Sequence, residues 1–422
     1  MNSRLILKNN NSNFASNKNG VLMKERSLAD SVLKLIWHEQ RTSRADIARY
    51  TGLSRSTVSE IIEVLLNTGL IAEIGAGKSS GGRRPIVLEF QDEARCILGV
   101  DLGATHVAVA LIDLRGRVLS WKEKNHPVRT DPDGARALVM QLCDECLEEC
   151  SNLSSQLIRI GVAVPSPVDP LNPKMLSEIV IPAWHGESGL EELQKRYGVP
   201  VHVDNDANLG ALAEYSWGAG KGVDDFVYIK IAHGIGAGYI LNGTVYRGAG
   251  GVAGEMGHLP IDPNGELCVC GLRGCLATFV GKPALAKRTK ELLGNYSDSI
   301  LKDKECTLQE IETAALSGDQ LALQLVKEVA EYLGIAISGW FNLMNPNLAI
   351  LGGGLVGLGE HLLGPLRAKV RNSTLVSKAA VDIKISELGS RTVAIGAATL
   401  ALEAMFADPT LSQQSNKKVT EK

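Results

Sequence analysis

The sequence predicts an α/β protein in two parts, a small N-terminal head and a much larger body. Apolar residues at helical spacing fill the segment from Glu25 to Gly69, and two strand-like runs, 70–74 and 85–90, follow it. From about Glu93 onward, short apolar strands alternate with helical stretches, which is typical of an α/β fold. A chain of 422 residues is long enough for two or three domains.

Composition and the terminal segments indicate a globular protein of the cytoplasm. Hydrophobic residues make up 45% of the chain and charged residues 22%. No apolar run approaches the roughly 20 residues that cross a bilayer. Residues 1–22 are polar, rich in asparagine and without the apolar core of a signal peptide, so a disordered arm is expected there. A disordered tail is expected at 406–422.

A short segment in the second half of the body carries a metal-ligand pattern. His258, Cys268, Cys270 and Cys275 have the spacing H-x9-C-x-C-x4-C. One imidazole and three thiolates complete a tetrahedral shell without an open position, which predicts a structural rather than a catalytic Zn²⁺. The alternatives are four independent loop residues or a disulfide, and disulfides are rare in a reducing compartment.

The remaining cysteines show no disulfide framework. Cys143, Cys146 and Cys150 fall on one face of a predicted helix, where free cysteines act as small apolar side chains. A second metal site at these three residues stays open as an alternative.

Residues 23–92 have the pattern of a winged helix-turn-helix domain. The second of three predicted helices begins after Ser43, with Asp46 in the capping-box position, and ends at Gly52. The third begins after Ser54, and a hairpin with the long basic tip GAGKSSGGRR follows it. This arrangement favours DNA binding over the alternative, a three-helix bundle with a solvated polar face.

The residues expected to contact DNA lie at two places in the head. The first turn of the third helix would reach base edges in the major groove, and the hairpin tip would reach phosphates or the minor groove. These residues are Ser54, Arg55, Ser56, Thr57 and Ser59 on the helix, and Lys78, Arg83 and Arg84 at the tip. Residues 1–90 also carry 13 of the 44 Lys and Arg but only 8 of the 47 Asp and Glu, as suits a polyanion partner.

Several predicted strands of the body end in glycines or carboxylates. The motif Asp101-x-Gly103-x-Thr105 and the glycine-rich run 234–238 are turns of the kind that present backbone N–H groups to a phosphate. Asn205 and Asp206 end another strand, where an amide and a carboxylate suit a polyol in a cleft. Each feature alone is also typical of ordinary hairpins and strand-to-helix turns.

In this order, and together with the zinc loop, these features resemble the ROK family of repressors, open reading frames and sugar kinases. The resemblance runs from about Glu25 to Ala404. The winged head with its tip at 82–85 is similar to the branch that contains the xylose, glucose and N-acetylglucosamine repressors. The resemblance implies an actin-like ATPase (ribonuclease H-like) fold for the body, with lobes at 95–204 and 205–405. The C-terminal helix, 393–405, is a candidate for returning to the first lobe.

The resemblance also implies residue roles in a cleft between the lobes. The family's sugar contacts are matched by Asn205, Asp206, Glu255 and His258. Asp206 stands at the position of the kinase general base, and His258 would both bind zinc and donate a hydrogen bond to a sugar. The two phosphate loops of the kinases are matched by Asp101, Gly103 and Thr105, and by Gly234 and Gly236.

Three positions depart from the kinase pattern. His233 stands where kinases place a threonine against ATP phosphate, and Ser166 replaces a glycine of the Pro-Gly-Pro-Val-Asp loop. Ala277 replaces a glutamate that binds the sugar. Because phosphoryl transfer depends on positioned phosphate contacts, kinase activity is expected to be lost.

The resulting hypothesis is a sugar-responsive transcriptional repressor of carbohydrate genes that is not an enzyme. It would bind an inverted-repeat DNA operator as a homodimer or homotetramer, with a small sugar between its lobes as effector. Two alternatives stay open: an active ATP-dependent sugar kinase with a regulatory head, and a regulator controlled by a protein partner such as a sugar transporter.

Overall fold

The computed structural model describes residues 18–76, 84–153, 156–169, 172, 176–177, 180–375 and 382–408, with side chains from residue 28 onward. The predicted arm and tail therefore lie mostly outside the described residues. The first helix nevertheless begins at Lys18 and the last one ends at Ala407, so each enters a segment that was expected to be disordered. Within these ranges, none of the helices combines the length and apolarity of a membrane span.

The head contains the three predicted helices and a small antiparallel sheet. Its elements are α1 Lys18–Glu39, β1 Arg41–Ser43, α2 Arg44–Thr51, α3 Arg55–Asn67, β2 Ile71–Ala76 and β3 Ile86–Phe90. The sheet order is β1-β3-β2, so the predicted hairpin is present and gains a third strand from the segment before α2. Strand β1 was not predicted, because three residues are too few to show an alternating pattern.

Local capping explains where the second and third helices begin. The Ser43 hydroxyl oxygen accepts from the Asp46 amide and the Ser54 hydroxyl oxygen from the Thr57 amide, each satisfying a free N–H of a first turn. Gly52 ends α2 with a positive φ of 72°. The predicted capping box at Ser43 is incomplete, because the Asp46 carboxylate accepts from the Ser43 hydroxyl, 2.7 Å away.

The body begins with a five-stranded sheet that forms the first lobe. Its elements are β4 Cys96–Leu102, β5 His106–Asp113, β6 Val118–Asn125, α4 Pro132–Glu149, β7 Leu157–Val164, α5 Leu190–Tyr197 and β8 Val201–Asn205. The order is β6-β5-β4-β7-β8, in which β4 to β6 form the predicted antiparallel meander and β7 and β8 run parallel to β4.

The second lobe repeats this topology. Its elements are α6 Asp206–Trp217, β9 Phe226–Ile231, β10 Ile235–Leu241, β11 Thr244–Tyr246, α7 Lys282–Leu292, α8 Leu308–Leu316, α9 Gln320–Met344, β12 Leu348–Gly353, α10 Glu360–Ser373, β13 Asp382–Ile385 and α11 Thr392–Ala407. The sheet order β11-β10-β9-β12-β13 and its strand directions match those of the first sheet. Strands β4 and β9 are therefore equivalent.

Helices α6 and α11 pack against each other between the two sheets, and glycines bring their backbones close. A Cβ on Gly161 of β7 would lie 1.7 Å from the Ala397 carbonyl oxygen of α11, and one on Gly238 of β10 would lie 2.2 Å from the Ala207 oxygen of α6. A Cβ on Gly396 would lie 1.8 Å from the Leu209 oxygen, at the contact between the two helices. Helix α11 thus covers the first sheet although it follows the second in sequence.

The head is joined to the first lobe by a continuous apolar core. One cluster of buried residues includes Val32 and Ile36 of α1 together with Ile112 of β5 and Leu402 of α11. At its edge the Trp37 indole donates to the Leu114 carbonyl oxygen at 2.8 Å and contacts the rings of Trp217 and Phe406. The head therefore packs against the first lobe and against helices α6 and α11, which lie between the two sheets.

Candidate functional site

The four predicted metal ligands converge in space. The ligand atoms of His258, Cys268, Cys270 and Cys275 all lie within 4.8 Å of one another. The Cys270 and Cys275 sulfurs are 3.6 Å apart, and His258 Nδ1 lies 3.5 Å from the Cys268 sulfur. Thiolates about 2.3 Å from a tetrahedral zinc stand roughly 3.8 Å from each other, so the spacing and the donor set both fit a zinc ion.

The backbone of this loop explains how residues so close in sequence can face one point. The Cys268 amide donates to the Leu272 carbonyl oxygen at 2.7 Å, and this tight turn projects two cysteines from its arms. Gly274 has a φ of 61°, and a Cβ there would lie 1.7 Å from the Asp262 carbonyl oxygen. The glycine at this position is therefore required by the close approach of two backbone segments.

His258 links the metal cluster to the cleft. Its Nδ1 faces Cys268, while its Nε2 lies 3.9 Å from the Glu255 carboxylate on the other side of the ring. Burial lowers the pKa of His258, which favours the neutral imidazole that a metal binds. Burial, together with the charge of Asp206, raises the pKa of Glu255. Glu255 therefore lies beside His258 and within electrostatic range of Asp206, and these three residues are called the polar row below.

Asn205 and Asp206 stand where β8 passes into α6. The Asn205 side-chain oxygen caps the helix by accepting from the Ala207 and Asn208 amides, and its amide group donates to the Ser166 carbonyl oxygen at 3.2 Å. The side-chain oxygen of Asn205 is thus already bonded within the chain, whereas Asp206 faces the second sheet. Asn205 fixes the turn on which Asp206 is presented.

A buried lysine, which sequence reasoning missed, occupies the cleft beside Asp206. Lys230 Nζ lies 2.8 Å from Asp206 Oδ2, and the two side chains are only 10% and 16% exposed. An isolated lysine inside the apolar strand β9, FVYIKI, was the available signal, because a buried charge needs a partner. A second ion pair connects the lobes, from the partly exposed Arg247 after β11 to the buried Asp204 of β8 at 2.6 Å.

In the first predicted phosphate loop, the His106 side chain lies against the turn. Asp101 is buried at the end of β4, its Oδ2 lies 3.3 Å from His106 Nε2, and its Oδ1 has no hydrogen-bond partner. A Cβ on Gly103 would lie 2.2 Å from the His106 ring, so the imidazole covers the turn. The Thr105 side chain is exposed, and its carbonyl oxygen accepts from the His126 amide.

The second predicted phosphate loop is shorter than the sequence suggested. Gly234 lies in the turn between β9 and β10, and nothing stands within 4 Å of a Cβ placed there. Gly236 and Gly238 instead belong to β10, where a Cβ would approach Ala207 to 3.1 Å and 2.2 Å. Their glycine character is explained by packing of α6 on the strand rather than by a phosphate turn.

The three departures from the kinase pattern lie around this cleft. The Ser166 hydroxyl is buried and accepts from the Ser177 amide at 3.0 Å, so it pins its loop internally. His233 precedes Gly234, and burial and the charges of Arg129 and Lys282 lower its pKa. Ala277 lies in a short 3-10 helix, Leu276–Thr278, directly after the metal ligand Cys275.

The head presents part of its predicted DNA-contacting set. Ser54, Arg55 and Ser56 are exposed at the start of α3, and Val58, Ile61, Ile62 and Leu65 bury its opposite face. The Ser54 hydroxyl bonds to those of Ser56 and Thr57, each at 2.8 Å, and the Ser59 hydroxyl donates to the Arg55 carbonyl oxygen. Arg84 is exposed at the base of the hairpin, whereas Lys78 and Arg83 lie outside the described residues.

Comparison with known proteins assigns both parts of the chain. A family model described as "ROK family" matches residues 97–404, and one described as "Winged helix-turn-helix DNA-binding" matches residues 31–72. The xylose repressor of Caldicellulosiruptor bescii is 30% identical over 383 residues, which cover 90% of this chain and 96% of that protein.

Solved structures give the same division. A ROK family transcriptional regulator, described as a homolog of the E. coli MLC protein, is 27% identical with a TM-score of 0.78 and covers 93% of this chain and 99% of its own. A ROK glucokinase from Streptomyces griseus, solved with glucose and AMPPNP, is 29% identical with a TM-score of 0.62 and covers 73% of this chain and 99% of its own. The body thus has the kinase-like, actin-like ATPase fold, confirming the predicted fold class.

Proposed function

Because this chain belongs to the ROK family and begins with a winged helix-turn-helix domain, we propose that it is a DNA-binding transcriptional regulator of carbohydrate genes. Its action would be repression, and its signal would be a sugar bound between the two lobes. A regulator with a DNA-binding head is favoured over a kinase because similarity to the xylose repressor extends over 90% of the chain.

The observation that carries this proposal is the continuity between the head and the sensing body. The apolar core of the head extends into the first lobe, so a change in the lobes can reach α3 through packed side chains. The lobes would have two arrangements, and in one of them the distance between the heads of two protomers would not match the two operator half-sites. A sugar would weaken DNA binding by binding more tightly to that arrangement.

The sugar would lie against the row formed by Asp206, Glu255 and His258. Carboxylates accept hydrogen bonds from sugar hydroxyls, and His258 Nε2 could donate one while Nδ1 faces the metal. Asn205 would act by holding the turn. The chemistry of this row suits a neutral polyol and does not distinguish a pentose from a hexose.

A structural Zn²⁺ would be held by His258, Cys268, Cys270 and Cys275, and its contribution would be to fix the loop that carries Glu255 and His258. Four protein ligands would leave no open position for catalysis.

The DNA partner would be an inverted-repeat operator read by a homodimer or homotetramer, because one winged head reads one half-site. Ser54, Arg55, Ser56, Thr57 and Ser59 would contact the major groove, and Lys78, Arg83 and Arg84 would contact the backbone or minor groove.

Kinase activity would be absent, with Asp206 as the remnant of a general base and the glycine turns as remnants of phosphate loops. An assay of sugar-dependent ADP formation tests the absence of kinase activity.

Control by a sugar-transport protein is the second candidate, favoured by Ala277 at the position of a sugar-binding glutamate. Operator binding with and without extracts of cells grown on different sugars tests this second candidate.

DNA binding is tested by footprinting the full-length protein on the DNA around its own gene. We expect protection of an inverted repeat, and about a 10- to 100-fold loss of affinity in Arg55→Ala, since a specific base contact contributes about 1–3 kcal/mol. The exposed Lys221, far from the head in sequence, provides the matched control variant Lys221→Ala. Equal affinities of the two variants would argue against α3 as the reading helix.

A further inference from the structure

The two equivalent strands of the lobes carry opposite charges at the same position. Asp101 is the second-last residue of β4 and Lys230 is the second-last residue of β9. Both side chains are buried and lie near the cleft, where the lobes meet. A carboxylate from one lobe and an ammonium from the other are thereby brought into electrostatic contact.

Lys230 is paired with one carboxylate and interacts electrostatically with a second. Its ammonium donates to Asp206 Oδ2 at 2.8 Å. Burial alone lowers the pKa of Lys230, but the charges of Asp101 and Asp206 outweigh burial and raise it. Burial likewise raises the pKa of Asp101, and Lys230 and His106 outweigh it in the opposite direction. Lys230 and Asp101 are therefore both charged at neutral pH.

His106 completes this arrangement on the first lobe. Its Nε2 lies 3.3 Å from Asp101 Oδ2, and its ring covers Gly103 so closely that even a methyl group would not fit between them. The face of the turn that would receive a phosphate is thus occupied by the chain itself.

We propose that Lys230, assisted by His106, supplies the positive charge that a nucleotide-bound divalent cation would bring to Asp101 and Asp206, and makes this cleft a sugar site that excludes Mg²⁺–ATP. The inference rests on the proposed function, since it concerns the same cleft, and it names the residue that separates sensing from phosphoryl transfer. Phosphoryl transfer relies on metal ions that bridge the phosphates and neutralise their charge.

Two physical effects produce the exclusion. A divalent cation placed at Asp101 would face the Lys230 ammonium, and like charges in a poorly solvated site repel strongly. Asp206 Oδ2 accepts a hydrogen bond from Lys230, which leaves Oδ1 to accept one from a sugar hydroxyl. The same ion pair would prevent Asp206 from removing a proton as a general base. Lys230 is accordingly a positioning residue for Asp206.

The test is a titration of the full-length protein with Mg²⁺–AMPPNP, followed by calorimetry, in wild type, Lys230→Gln and Lys230→Arg. We expect no saturable binding by wild type or by Lys230→Arg, which keeps the charge. Lys230→Gln removes the charge, and its affinity should rise at least tenfold, with a further rise when His106→Ala is added.

Saturable binding of Mg²⁺–AMPPNP by wild type would overturn the proposal, and this result needs no variant that folds. An absence of binding even in the double variant would overturn it as well, because the exclusion would then lie elsewhere. Operator binding and its response to sugar are measured on the same samples. A wild-type protein that does not bind its operator, or whose operator binding no sugar alters, would refute the proposed function. The nucleotide titration alone decides the role of Lys230.

Discussion

The two lobes have the same sheet order and strand directions but different attachments. The head packs through α1 on the first lobe and on helix α11 that covers its sheet, whereas the second lobe carries the loop with the candidate zinc ligands between β11 and α7. The second-last residues of their equivalent strands are Asp101 and Lys230, which carry opposite charges and interact electrostatically. Two lobes of the same topology thus differ in what they carry: one packs against the winged helix-turn-helix head, and the other carries the loop for which we propose a sensing role.

Removal of one candidate metal ligand in the second lobe should have the largest effect, and it tests the difference between the lobes. Cys275→Ser should reduce the zinc content from about one ion per chain to nearly none, because the shell needs all four ligands. The sugar response should disappear while sugar-free operator binding persists, since the head contacts the first lobe. Zinc analysis and fluorescence anisotropy on operator DNA measure both.

Cys150→Ser is the matched control for that experiment, because Cys150 ends α4 in the first lobe, outside the metal cluster. Its zinc content should equal that of wild type. Full zinc content in Cys275→Ser would refute the metal assignment, and loss of sugar-free operator binding would refute the division between the lobes.

The second effect concerns the junction of the head with the first lobe. Trp37→Ala removes an aromatic side chain from the contacts with Trp217 and Phe406 and should lower the free energy of unfolding by about 3 kcal/mol. Trp37→Phe keeps a ring but loses the bond to Leu114, so a loss of about 1 kcal/mol is expected.

Urea unfolding followed by circular dichroism gives these values, and operator anisotropy shows whether the sugar response weakens in the same order. An alanine variant as stable as wild type would mean that the head is not held by this contact.

The third effect concerns the contact between the two covering helices. Gly396→Ala places a methyl group 1.8 Å from the Leu209 carbonyl oxygen, so α6 and α11 must separate, at a cost of about 1–3 kcal/mol. Gly339→Ala is the control, since nothing stands within 4 Å of a Cβ on that residue of α9 and alanine is the better helix former. The melting temperature should fall in Gly396→Ala and rise slightly in Gly339→Ala. Equal melting temperatures would mean that α6 and α11 are not closely packed.

The smallest effect is a pH dependence at the head–body junction. Burial and the nearby charge of Asp408 raise the pKa of Asp30 to about 6. The unfolded chain has a value of about 3.9. The contribution of protonated Asp30 to the free energy of unfolding is therefore fully present below pH ~4 and is lost as the pH rises through about 6.

Asp30→Asn should thus stabilise the protein at pH 7.5 by at most about 1 kcal/mol, a value reduced because the side chain is partly solvated. The gain should vanish near pH 4. Melting temperatures across this range, with the exposed Asp298→Asn as control, measure it. A gain that is equal at both pH values would contradict the assignment.

Sequence reasoning succeeded where the determinants are local. The metal quartet lies in one short loop, and the caps at Ser43 and Ser54 satisfy amides three residues away. It failed where partners are distant along the chain: Lys230 comes within electrostatic range of Asp101 only after both lobes have folded. Gly236 was assigned to a turn because glycine in a strand and glycine in a turn look alike until the packing helix α6 is known.

The central claim is that a sugar bound between the lobes controls the affinity of the head for DNA. The most direct measurement is operator affinity of the full-length protein, by anisotropy, against a panel containing xylose, glucose, N-acetylglucosamine and other pentoses and hexoses. One sugar should weaken operator binding at least tenfold in wild type and leave it unchanged in His258→Ala. An operator affinity that no sugar alters, in a protein that binds its operator tightly, would contradict the account.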